Sequence, residues 1–180
     1  LMYPQVTEER ILENPIGLED WKVKVPYQSV DKWYKSEMQQ NYEKIKQYMK
    51  ESYYAGKWAP AYDKLAQLQA SWTSAPDYST VAWNSALTYD MIFTQPVLYE
   101  FENIQAPTLL IIGQRDRTAL GKANVPDEVR KTMGNYPELG KNAAQKIPHA
   151  TLVPIEGVGH LPHIEAYTKF ITPLLKFLKE

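Results

Sequence analysis

Thr108-Leu109-Leu110-Ile111-Ile112-Gly113-Gln114-Arg115-Asp116 is the stretch that decides the fold. A short apolar run between Pro107 and Gly113 reads as a strand covered on both faces, the pattern of a parallel sheet. The chain leaves that strand at a glycine and reaches an acid. A second stretch repeats the plan: Thr151-Leu152-Val153-Pro154-Ile155 is a strand, and Glu156-Gly157-Val158-Gly159-His160 carries it to a histidine. Between the two, residues 117–148 hold a loop and short helices expected near Pro126–Met133 and Pro137–Lys146. After the second, Tyr167, Phe170, Ile171, Leu174 and Leu178 mark a final amphipathic helix. Strand, helix, strand, helix in this order predicts a parallel sheet with right-handed crossovers.

Upstream, Glu9-Arg10-Ile11-Leu12-Glu13-Asn14 is a weaker strand, closed by Pro15 and Gly17. Three strands near 9–14, 108–112 and 151–155 are expected side by side in that order. The first should have one edge unpaired, or paired to material outside this sequence. From Val30 to Tyr54 the pattern turns helical, with Tyr34, Met38, Tyr42, Ile45, Met49 and Tyr53 at spacings of three and four. A second helix is expected from Pro60, carrying Tyr62, Leu65, Leu68 and Trp72, and a third from Ser79 to Phe93 before Pro96. The start, Leu1-Met2-Tyr3-Pro4, reads as the tail of an apolar helix stopped before a proline. We therefore read the chain as a piece of a longer one, against the plainer alternative of a stray residue before Met2.

The 180 residues, 44% of them hydrophobic, suffice for one core, and the net charge of −1 gives no electrostatic case for nucleic acid or an anionic membrane. There is no cysteine, which removes disulfide and thiolate chemistry and leaves the compartment open. No apolar run is long enough to span a bilayer. No metal or organic cofactor is required. His163 follows His160 by three residues, but a lone His-x-x-His is too few ligands for a metal, and His163 reads more simply as a residue opening the last helix. His149 reads as a loop residue. The loop after Asp116 contains Thr118, Gly121 and Lys122 without the glycine pattern that cradles phosphate.

Ligands of open parallel sheets bind outside the carboxyl ends of the strands. Asp116 and His160 both stand just past such an end, so they are expected on one rim. A carboxylate there can fix the imidazole tautomer and stabilise the imidazolium formed when histidine takes a proton. Gly157 and Gly159 are expected to supply the backbone angles that swing His160 over the sheet. Taken singly, Asp116 could instead be a loop carboxylate paired with Arg115 or Arg117, and His160 a turn or helix-cap residue. Their order and spacing together favour the chemical reading.

Here the resemblance becomes specific. Ala106–Asp116 and Gly157-Val158-Gly159-His160-Leu161-Pro162-His163-Ile164-Glu165 closely resemble the last two strand–loop elements of the α/β-hydrolase fold. Glu9–Trp21, with Asn14-Pro15-Ile16-Gly17-Leu18, looks like the strand before that family's cap. The resemblance implies residues 1–21 and 101–180 as the C-terminal part of the catalytic core, about three parallel strands, and 22–100 as a helical cap. It implies Asp116 as the triad acid and His160 as the general base of an esterase-like or related hydrolase of small, fairly apolar substrates. Some members place the acid after the strand before the cap, which points to Glu13, Asn14 or Asp20; the tighter strand-to-acid spacing favours Asp116. The family's nucleophile elbow, Gly-x-Ser-x-Gly or an aspartate equivalent, is not present. Ser29, Ser36, Ser52, Ser71, Ser74, Ser79 and Ser85 all lack the flanking glycines. The nucleophile is therefore expected from a missing N-terminal half or another subunit, which would also cover the edge of the first strand. Trp83, Tyr89, Met91 and Phe93 are candidates to line a substrate pocket, against the plainer reading that cap aromatics simply pack on one another. The alternative function is a non-catalytic fragment or binding module that retains the cap.

Overall fold

The computed structural model describes residues 3–179. Leu1 and Met2, read above as the end of an apolar helix, lie outside the described residues. The sheet has three parallel strands, β1 (Arg10–Glu13), β2 (Thr108–Gly113) and β3 (Ala150–Ile155), in the order β1-β2-β3. This is the expected order. β1 pairs only with β2, so its other edge carries no strand among the described residues. Between β1 and β2 stand α1 (Val30–Glu37), α2 (Tyr42–Tyr48), α3 (Asp63–Trp72) and α4 (Tyr78–Thr94). After β2 come α5 (Asp127–Arg130) and α6 (Tyr136–Lys146), and after β3 α7 (Pro162–Glu165) and α8 (Tyr167–Phe177).

β2 is central, and all of its residues are buried. Its side chains alternate between faces, as a strand requires. Leu110 and Ile112 pack with Phe101, Ile104, Tyr136, Ala143 and Ile147 on the α6 side. Leu109 and Ile111 pack with Ile155 and Val158, and with Phe170, Leu174 and Phe177 of α8 on the other. Each buried Leu or Ile stabilises this sandwich by roughly 2 kcal/mol. Pro154, which cannot donate to a ladder, is tolerated because β3 is an edge strand in this sheet. No helix among the described residues is long and apolar enough to cross a membrane.

The helical stretch between β1 and β2 is a cap. The single helix expected over Val30–Tyr54 is broken. α1 ends at Glu37, and Asn41 restarts the chain as an N-cap, its side-chain oxygen accepting from the Lys44 amide at 3.0 Å. The apolar spacing ran across this break although the two pieces pack on different helices, α1 on α4 and α2 on α3; the cap, not the spacing, sets the boundary. α2 then runs into a π-helical turn, Met49–Tyr53, closed by the Tyr54 amide donating to the Met49 carbonyl at 3.0 Å. Beyond it, Tyr54 is fully buried and stacks on Tyr62 with ring centroids 3.8 Å apart. The later helices fall within a few residues of their expected positions.

Candidate active site

The ends of β2 and β3 are joined by backbone. The Gln114 amide donates to Ile155 O at 3.1 Å and the Arg115 amide to Val158 O at 2.8 Å, so the acid loop and the histidine loop run together. Two glycines permit this. A Cβ on Gly113 would lie 1.9 Å from Gly159 O, and one on Gly159 would lie 2.0 Å from Tyr53 O. Gly157 supplies a left-handed turn, with φ of +76°. Gly159 does not have a positive φ, contrary to expectation; it is needed for close approach and not for its angle.

The two loops deliver Asp116 and His160 to each other, with His160 Nδ1 2.6 Å from Asp116 Oδ2. Asp116 is fully buried. Its carboxylate also takes the Asn14 side-chain amide on Oδ2 at 2.6 Å and the Thr118 backbone amide on Oδ1 at 2.8 Å. A carboxylate ringed by donors is an acceptor, so Nδ1 carries the hydrogen and donates, leaving Nε2 with its lone pair. Nε2 makes no hydrogen bond among the described residues. The imidazole is held between Tyr53, stacked at 4.6 Å, and the edge of Tyr136 at 6.1 Å, and its side chain keeps 20% exposure. Burial pushes the Tyr53 and Tyr136 phenols up, with the Asp116 carboxylate adding to both. They are neutral hydroxyls at physiological pH.

The competing partners go elsewhere. Arg115 pairs with Glu165 at 2.5 Å, and Arg117 donates to the backbone carbonyl of Asp116, not to its carboxylate. His160 precedes Leu161, the N-cap of α7. Of the other candidate acids, Glu13 accepts from the His163 backbone amide at 2.9 Å and lies 2.8 Å from its Nδ1. Asp20 caps the turn that starts at Trp21 and accepts from the Tyr99 hydroxyl. Asn14 alone among them touches the pair. Its backbone is left-handed (φ +39°), a conformation asparagine tolerates better than most, and its side-chain oxygen accepts from the Gly113 amide at 2.9 Å.

Tyr89 and Phe93 lie four residues apart on α4 and line a small crevice with Trp21, Trp33 and Leu120. Tyr89 donates to the Glu37 carboxylate at 3.2 Å. Trp83 packs edge-on against Tyr34, and Trp83 and Met91 are both exposed. No cluster of three or more side chains able to hold a metal exists among the described residues. The sequence reading missed Arg115, Glu165 and Thr118, and weighed Asn14 only as an acid. An asparagine between a strand and a proline was the one available signal for Asn14.

A three-stranded parallel sheet with helices inserted after its first strand gives the chain the α/β-hydrolase fold, of which it matches the C-terminal part. Over 98% of its length it superposes on a probable hydrolytic enzyme from Pseudomonas aeruginosa PAO1, with a TM-score of 0.94 and 51% identity. It covers 57% of that protein, less than two thirds of its length. MenH from S. aureus matches 98% of the chain at 18% identity and a TM-score of 0.66, with 62% of that protein covered. An esterase from Exiguobacterium antarcticum matches 96% at 17% identity and a TM-score of 0.61, with 57% covered. These last two speak to the fold alone. No protein-family model and no curated protein sequence matches the chain.

Proposed function

We propose that this chain supplies the acid, Asp116, and the general base, His160, of a hydrolase triad whose nucleophile comes from outside these residues. The observation that carries the reading is the 2.6 Å contact of His160 Nδ1 with a fully buried carboxylate, which leaves Nε2 unbonded. Nε2 would take the proton of the nucleophile or of a water, and Asp116 would hold and stabilise the imidazolium. The reaction is esterase-like hydrolysis of a small, fairly apolar substrate. A serine nucleophile would give ester, peptide or carbon–carbon hydrolysis, and an aspartate epoxide or halide chemistry. We assign 22–100 to the cap, with Tyr89 and Phe93, and on the same helix Trp83 and Met91, as pocket residues. The open edge of β1 would receive the strand that brings the nucleophile, since an unpaired edge invites pairing.

Turnover of short-chain nitrophenyl esters by the full-length protein tests the acid. Asp116→Asn should lower kcat by roughly 10³-fold or more, while Glu13→Gln should leave it within about twofold. The reverse order would move the acid to β1.

A further inference from the structure

The end of a helix leaves its last carbonyls without partners. At the end of the cap's π-helical turn, three consecutive carbonyls are taken by residues that adjoin the acid–histidine contact. Thr118 Oγ1 donates to Ser52 O at 3.4 Å, the His160 amide to Tyr53 O at 2.8 Å, and Arg115 Nη1 to Tyr54 O at 3.0 Å. The Thr118 amide is the one that holds Asp116 Oδ1.

Arg115 does most of the joining. Its Nε donates to Gly157 O at 2.6 Å and its Nη2 to Glu165 Oε2 at 2.5 Å. The other Glu165 oxygen accepts from the Gly159 amide at 2.7 Å. One guanidinium therefore grips the histidine loop at Gly157, the end of α7 at Glu165, and the cap at Tyr54, and Glu165 in turn holds the histidine loop at Gly159, on the other side of Val158. The Glu165 side chain is only 7% exposed, so its carboxylate is largely held away from water. The cap segment so fixed is the one whose Tyr53 ring lies on the imidazole.

We propose that Arg115 is a positioning residue: with Glu165 it locks the cap's 52–54 turn and the His160 loop into one unit, setting the base and the ring stacked on it together. The proposal rests on the hydrolase reading for its effect on turnover, and on geometry alone for the lock. A lysine offers one compact charge and cannot span three acceptors as the planar fork does.

The test uses the full-length protein with Arg115→Lys. Two quantities are read: kcat and KM for a nitrophenyl ester per folded molecule, counted by near-ultraviolet circular dichroism, and hydrogen exchange at the His160 amide. The expected result is kcat lower by about tenfold with KM within about twofold, and exchange at His160 faster by about tenfold. A residue that merely stabilised the fold would leave kcat per folded molecule unchanged. Unchanged kcat or unchanged His160 exchange overturns the proposal. Should Arg115→Lys not fold, Glu165→Gln is read by the same criteria, since it keeps an acceptor for the Gly159 amide and removes the charge. His160→Ala in parallel separates the two ideas: if it retains turnover, the hydrolase reading fails, and exchange at His160 in Arg115→Lys still decides the lock.

Discussion

Asn14 touches Asp116 from the strand before the cap, where a relative of this fold could place its acid. Its side chain bridges two strands, giving to the Asp116 carboxylate and accepting from the Gly113 amide. Asn14→Asp would set a second carboxylate 2.6 Å from Asp116 Oδ2, where the amide now donates. Two like charges at that distance cannot both ionise freely, so one proton is retained to higher pH. The acidic limb of kcat/KM in the full-length protein should move up by about one unit or more; an unmoved limb would show that Asn14 does not govern the pair. That Asp116 and His160 meet on one rim was readable in sequence, because each follows a strand with glycine at or just past its end. Asn14 was only half readable. One polar residue before a proline looks like any turn, and its bond to Asp116 spans a separation of 102 residues. Arg115 and Glu165, 50 residues apart, gave no local signal at all.

At the scale of elements, β2 was the most legible. It is buried on both faces, so composition alone marks it. What composition could not show is how closely the next loop crosses its end. Gly113→Ala would put a Cβ 1.9 Å from the Gly159 carbonyl, with backbone on both sides and no flexible side chain to yield. Urea unfolding should show a loss of about 3 kcal/mol or more; a loss under about 1 kcal/mol would contradict the packing. The break between α1 and α2 escaped the periodicity because Asn41 acts through a cap and carries no apolar signal. Glu37, at the end of α1, makes a second element-level prediction. Burial raises its carboxyl above the ordinary value, and the Tyr89 hydrogen bond only partly offsets this. A raised folded-state value means the native state binds the proton more tightly, so the contribution to stability is complete below the unfolded value and is lost as pH rises through the folded one. Glu37→Gln should remove that loss. Its melting temperature, relative to the parent protein, should rise as pH climbs from about 4 to 7. A constant difference over that interval would contradict the assignment.

For the whole molecule, two features set how the parts work together. The cap is attached at three carbonyls beside the Asp116–His160 contact, the link that the proposed positioning role of Arg115 uses. The sheet ends at β1 on a strand with one unpaired edge among the described residues, and the chain spans 57% of the Pseudomonas aeruginosa hydrolytic enzyme it superposes on. The most direct measurement is ester hydrolysis by the full-length protein carrying His160→Ala, with folding checked by circular dichroism. If Nε2 is the base, kcat falls by roughly 10³-fold or more. If the folded variant keeps kcat within about tenfold of the parent, His160 is not the base and the central assignment is wrong.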